Sequence, residues 1–271
     1  MDITKELTIV FPVRIDCVER KENLEVVLSS LLEMTNASII VLEADMEQRY
    51  FFIISNKRLK YIFVHDEDLI FHRTHYLNQL LSMSETNIVG IWDTDVVLTK
   101  RQIIKAVGSI KNGITLSYPY DGRFIFLDFQ ESNKAREDIS FFLKNKNRKN
   151  EPTIFKRSSV GGAFIVNRQR YMDAGGENEN FYGWGHEDAE RFKRLEILQE
   201  PINRISGPLF HLYHPRGVNS GYDNFIREKS NIKEFLHVCQ MNKENLCNYV
   251  KTWNYKKQIY EYIKGDIHKS T

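Results

Sequence analysis

Apolar runs and amphipathic stretches alternate through the first half of the chain. Leu7–Val13, Ser38–Glu43, Tyr61–Val64 and Asn87–Val97 are dense in Ile, Val and Phe, the pattern of buried strands. Between them, Glu22–Met34 sets Leu24, Val27, Leu28, Leu31 and Leu32 at helical spacing, and His72–Met83 does the same with Leu77, Leu80 and Leu81. This alternation predicts an α/β fold: a mostly parallel sheet with helices on both faces. Ligands of such sheets bind beyond the carboxyl ends of the strands, so the residues closing each apolar run are the ones to search for chemistry.

The second half is less regular. Residues 130–152 are polar and charged around one apolar patch, Ile139–Leu143, and read as a surface loop or helix. A strand is expected over Val160–Val166, a Gly/Asn-rich loop over Ala174–Gly185, a helix over Glu187–Leu198 and a last strand over Ile202–Tyr213. From Asn224 onward the texture changes. Residues 224–271 hold nine Lys/Arg against five Asp/Glu, with Leu246, Val250 and Trp253, then Tyr255, Ile259 and Tyr262, at helical spacing. Two readings stand: a pair of helices packed on the main domain, or a basic amphipathic surface resting on anionic lipid. The expected division is one α/β domain over 1–223 with a helical extension over 224–271.

Composition narrows the partners. Of 271 residues, 38 are Lys or Arg and 36 Asp or Glu, a net charge of +2, which lacks the basic excess of a phosphate-neutralising nucleic-acid binder. Three cysteines, Cys17, Cys239 and Cys247, form no metal-type spacing and fit a reducing compartment. The first residues resemble no signal peptide, and no apolar stretch approaches the roughly 18 residues of a membrane span. The expectation is a cytoplasmic protein, with peripheral contact at the inner face of a membrane left open.

Three clusters carry candidate chemistry. The first is Asp93-Thr-Asp95, where an apolar strand runs into two carboxylates and then resumes. Buried carboxylates need partners, and a divalent cation shared with phosphate is one, although either aspartate could instead cap the helix expected at Thr99–Gly108. The second runs through Gly161-Gly162, Gly175-Gly176 and Phe181-Tyr-Gly-Trp184-Gly-His-Glu187-Asp188. Paired glycines permit close backbone approach to a ligand. An aromatic ring beside carboxylates suits a sugar, whose C–H face lies on the ring while its hydroxyls bind the carboxylates. In the first turn of a helix, Glu187 and Asp188 also suit the helix dipole without any catalysis. The third is His211-Leu-Tyr-His214-Pro-Arg-Gly; both rings can reach one ion only if the strand breaks there, which Pro215 and Gly217 favour. Neither GxGxxG nor GxxxxGK[ST] occurs, so a nucleotide diphosphate would have to be held by other means.

In this order the clusters resemble the metal-dependent GT-A glycosyltransferases, with a Rossmann-like sheet. Gly161 to Leu195 is similar to the signature of the β-1,4-galactosyltransferase family. The resemblance implies Pro12, Arg14, Glu43, Arg73, Asp93 and Gly162 at a UDP-sugar donor, with Glu43 at uracil. It implies Asp95, His214 and His211 as ligands of Mn²⁺ or Mg²⁺, Trp184 and Glu187 at a saccharide acceptor, and Asp188 as catalytic base. His186 stands where the motif has glycine, Ala189 where it has aspartate, and His211 where it has methionine.

The function so implied is transfer of a hexose or N-acetylhexosamine, galactose-type favoured, from a UDP-sugar to a saccharide hydroxyl with inversion, in surface polysaccharide synthesis. The alternatives are a catalytically idle module that binds saccharide or serves in a complex, and a nucleotidylyltransferase. The latter wants a Gly-rich loop after the first strand, and Val13–Lys21 has no glycine.

Overall fold

The computed structural model describes residues 2–51, 54–145, 158–221 and 224–253. In chain order the elements are β1 (Leu7–Val13), α1 (Val18–Met34), β2 (Ser38–Asp45), β3 (Leu59–His65), α2 (Arg73–Met83), β4 (Ile88–Trp92), β5 (Val96–Val97), α3 (Lys100–Lys111), β6 (Leu116–Tyr118) and β7 (Phe124–Phe126). Then follow α4 (Phe129–Glu137), α5 (Ile139–Asn145), β8 (Ala163–Asn167), α6 (Arg168–Asp173), α7 (Glu187–Leu198), β9 (Ile202–Arg204), β10 (Leu209–His211), α8 (Phe225–Cys239) and α9 (Lys243–Lys251).

Seven strands form one sheet in the order β3-β2-β1-β4-β8-β6-β9, in which only β8 runs against the rest. Every residue of β1 is buried, as befits a central parallel strand covered on both faces. Helix α1 buries Leu24, Val27, Leu28 and Leu31 in the core, the face its spacing predicts. A smaller sheet, β5-β10-β7, stands beside the carboxyl end of β4. Among the described helices none is long and apolar enough to cross a membrane.

Two expected strands are each divided, for one reason: a turn interrupts them where the chain passes between sheets. Asn87–Val97 becomes β4 and β5, with Asp93–Asp95 in the turn. There the Asp93 N–H donates to the Gly162 carbonyl (2.9 Å), and the Leu212 N–H to the Asp95 carbonyl (2.8 Å). Ile202–Tyr213 becomes β9 in the large sheet and β10 in the small one, separated at Gly207 (φ +123°), whose backbone few other residues adopt. The surface excursion begins as α4 and α5; residues 146–157 lie outside the described residues.

Helices α8 and α9 pack on α7, and Val238, Leu246, Val250 and Trp253 are buried within the one core. Over 225–253 the extension is thus a pair of helices packed on the main domain, while Tyr255, Ile259 and Tyr262 lie outside the described residues. Gly175 serves this packing and not a ligand, contrary to the expectation for its glycine pair. A Cβ there would lie 2.7 Å from the Trp253 ring, at φ +113°. Its neighbour Gly176 likewise abuts Asn78. Gly175→Ala is expected to cost about 2 kcal/mol through overpacking and backbone strain, read as a lower denaturant midpoint at unchanged slope.

Candidate active site

A cavity of about 820 Å³ opens beyond the carboxyl ends of β1 and β4. It gathers most of the residues singled out from the sequence: Pro12, Arg14, Arg73, Asp93, Asp95, Gly162, Trp184, Glu187, Asp188, His211 and His214 all line it. Glu43 does not. Its carboxylate is wholly buried and accepts hydrogen bonds from the Arg49 and Tyr50 N–H groups (3.0 Å each) and from the Tyr61 hydroxyl. Those bonds fix the loop after β2 and hold the carboxylate away from the cavity wall. Arg14 reaches the cavity wall with each of its three nitrogens donating, to the Ala44 carbonyl (2.7 Å), the Asp68 carbonyl (2.6 Å) and the Asp66 carboxylate (2.7 Å).

On one side of the cavity, the break after β10 turns both histidines toward Asp95. Nε2 of His211 lies 3.2 Å from Asp95 Oδ1, and Nε2 of His214 lies 3.2 Å from Asp95 Oδ2. A ligand atom from each lies within 4.8 Å of the others. At His214 the Nδ1 is 2.7 Å from the Pro215 carbonyl, which can only accept. In the neutral ring Nδ1 therefore carries the proton, and the Nε2 lone pair faces Asp95. His211 packs against Phe124 and Phe126, with ring centroids 5.4 and 5.0 Å away.

Asp95 is 2% exposed, and its Oδ1, like His211 Nδ1, makes no hydrogen bond. Burial alone would raise the Asp95 pKa, but His211, His214 and Arg20 hold it well below the usual carboxylate range. Burial pushes His211 down, while at His214 the bond to Asp95 outweighs burial and raises it. A buried carboxylate with one oxygen that makes no hydrogen bond, facing two imidazole nitrogens, fits a divalent cation. Arg20 was not foreseen. It closes this side, 3.7 Å from Asp95 and bonded to Asp16 at 2.8 Å; the i,i+4 spacing of Asp16 and Arg20 was its only sequence signal.

Between the two sides stands Arg73, donating to Asp93 at 2.5 Å, while its other terminal nitrogen is buried without a partner.

Across the cavity, the start of α7 presents Glu187 and Asp188 beside Gly161. A Cβ at position 161 would lie 2.4 Å from Asp188 Oδ2, so the carboxylate rests against bare backbone. The half-exposed Trp184 leads into this turn. Its loop hangs from α8, where the Asn231 amide donates to the carbonyls of Tyr182, Trp184 and Gly185 at 3.3–3.4 Å. His186, in the left-handed region at φ +67°, stacks on Phe235 of α8.

Loss of water and the charge of Asp188 push the Glu187 pKa from 4.5 up to about 7. The fold therefore favours the protonated carboxyl. This contribution to stability is full below about pH 4.5, declines as the pH rises, and is gone above about 7. Glu187→Gln should flatten that part of the stability–pH curve, as measured by denaturant unfolding across pH 4–8.

Residues 143–215 match the family model described as the N-terminal domain of galactosyltransferase. Over 74 residues the chain is 31% identical to β-1,4-galactosyltransferase 7 of Mus musculus and to that of Homo sapiens; the stretch is 27% of this chain and 20% of either relative. The match thus spans about a fifth of those relatives' length. Among solved structures, Drosophila β-1,4-galactosyltransferase 7 with xylobiose aligns over 83% of this chain and 79% of its own, at 15% identity and a TM-score of 0.53. The fold is that of the GT-A glycosyltransferases. S. aureus TarS with UDP-GlcNAc has it too, at 11% identity and a TM-score of 0.55 over 92% of this chain and 72% of that one. A structure of a point mutant of the Drosophila enzyme, with manganese, UDP-Gal and xylobiose, aligns at 13% identity and a TM-score of 0.51, with 83% of this chain and 79% of that one covered. The chain has the GT-A fold, and its residues 143–215 are similar to galactosyltransferases. Its metal-type cluster and its Trp-Gly-His-Glu-Asp turn face each other at the mouth of that fold.

Proposed function

We propose that this protein is a metal-dependent inverting glycosyltransferase that moves a hexose or N-acetylhexosamine, with galactose-type sugars favoured, from a UDP-sugar to a saccharide hydroxyl. The observation that carries the reading is the opposition, across one cavity, of Asp95, His211 and His214 to Glu187 and Asp188. The solved relatives add support, since one of them holds manganese, UDP-Gal and xylobiose together.

Asp95, His211 and His214 would hold the cation, which when bound supplies Lewis-acid stabilisation of the departing diphosphate. Arg73, with one nitrogen committed to Asp93 and one without a partner, is placed to hold the donor. Trp184 offers its ring face to the acceptor. Asp188 takes the proton of the attacking hydroxyl; the hydroxyl oxygen bonds to the anomeric carbon while the bond to the diphosphate breaks, and the electron pair leaves with UDP. Glu187, with its pKa near 7, can give or accept a hydrogen bond at a second acceptor oxygen. A place in surface polysaccharide synthesis is part of the same proposal.

The test is UDP release from a panel of UDP-sugars in Mn²⁺, with and without oligosaccharide acceptors. Turnover with at least one donor, increased by an acceptor, is expected. An idle saccharide-binding module would bind acceptor and release no UDP from any donor.

A further inference from the structure

Arg191 is fully buried in α7. It is bound to two carboxylates at once. Its Nε and one terminal nitrogen donate to Glu177 at 3.0 and 2.8 Å, and the other terminal nitrogen donates to Asp188 Oδ1 at 2.6 Å. Glu177 is itself fixed: the Tyr171 hydroxyl donates to it at 2.7 Å, and its backbone exchanges hydrogen bonds with the Asn78 side chain at 2.9 and 3.0 Å. The guanidinium also lies over the Phe164 ring, 4.1 Å from its centroid.

A fully buried arginine is costly to desolvate, and Glu177 alone would suffice to neutralise it. The third arm, extended to a carboxylate on the cavity wall, is what packing does not require. We propose that Arg191 is a positioning residue for Asp188. It ties up Oδ1 and leaves Oδ2, held against the bare backbone of Gly161, as the oxygen that receives the acceptor proton. The inference rests on Asp188 being the base. Asp188 lies in the first turn of α7 with a side chain that can rotate about two bonds, and a base displaced by about 1 Å can lose 10²-fold in rate. A planar fork with two carboxylates on it removes that freedom, which the single ammonium of a lysine cannot do.

The experiment is a cycle of Arg191→Lys and Asp188→Asn, singly and together, assayed with a donor and acceptor on which the wild-type protein turns over. Arg191→Lys should lower kcat about 10- to 100-fold with the donor KM within about threefold, because only the base is misplaced. In the Asp188→Asn background the same substitution should change the residual kcat by less than about twofold, since there is no base left to position. Should Arg191→Lys fail to fold, Arg191→Met with Glu177→Gln removes both buried charges together, a change such pairs often tolerate, and takes its place in the cycle. An unchanged kcat in the Arg191 variant, or an equal loss in both backgrounds, would overturn the positioning role and leave the base assignment intact. Full turnover in Asp188→Asn alone would overturn both.

Discussion

Asp188→Asn is expected to lower kcat by about 10²–10⁴-fold, the usual contribution of general-base catalysis. The amide keeps the size of the carboxylate and one oxygen, so UDP-sugar binding in Mn²⁺ should change by less than about twofold. A sugar hydroxyl is a poor nucleophile until its proton is taken, and the cavity offers few carboxylates to take it. Asp93 is held by Arg73 at 2.5 Å and Asp95 faces the two histidines. Glu187, its pKa raised to about 7, is tied through Oε2, which accepts from the Gly185 N–H at 2.9 Å. Glu187→Gln should therefore raise the acceptor KM more than it lowers kcat. Steady-state kinetics of the two variants on one donor and acceptor separate these roles. A large loss of kcat in Glu187→Gln with little in Asp188→Asn would exchange them.

Asp95→Ala should be the more damaging change at the metal side. It removes the one carboxylate of the cluster and leaves two imidazoles with no anion between them. Stabilisation of a departing diphosphate by a cation is worth several kcal/mol, so kcat/KM should fall by about 10³-fold or more, and added Mn²⁺ should no longer stimulate. His214→Gln, which removes a nitrogen and keeps the carboxylate, should lose less and recover partly at high Mn²⁺. Retention of Mn²⁺ stimulation in Asp95→Ala would place the ion elsewhere.

Much of this arrangement was legible in the sequence because its signals are local. Continuous apolar runs mark β1, β2 and β4 as buried strands, and the carboxylates closing β4 fall at the mouth of the sheet, where parallel strands present their ligands. The same pattern misleads at Glu43. A carboxylate at a strand end can face a ligand or its own following loop, and alternation along the strand does not distinguish them; the Arg49 and Tyr50 N–H groups do. Gly175-Gly176 shows a similar ambiguity, since bare backbone admits the Trp253 indole, just past α9, as readily as a substrate.

What was not legible is carried by contacts distant in sequence. Glu177 meets Arg191 from 14 positions away, and Asn231 of α8 holds the Trp184 loop from 47 positions away. No spacing rule within a strand or a helix records either. The C-terminal helices looked like an appendage by composition, yet through Asn231 and Phe235 they support the turn that carries Glu187 and Asp188.

The central claim is that one cavity binds a uridine diphosphate and a divalent cation together. Calorimetric titration of UDP into the protein, with Mn²⁺ and then with EDTA, tests it most directly, because it needs neither the right sugar nor the right acceptor. With so few protein ligands the ion would complete its shell with diphosphate oxygens, so UDP should bind at least about tenfold more tightly in Mn²⁺, a difference of roughly 1.4 kcal/mol. UDP binding that is absent, or equally strong in EDTA, would contradict the account.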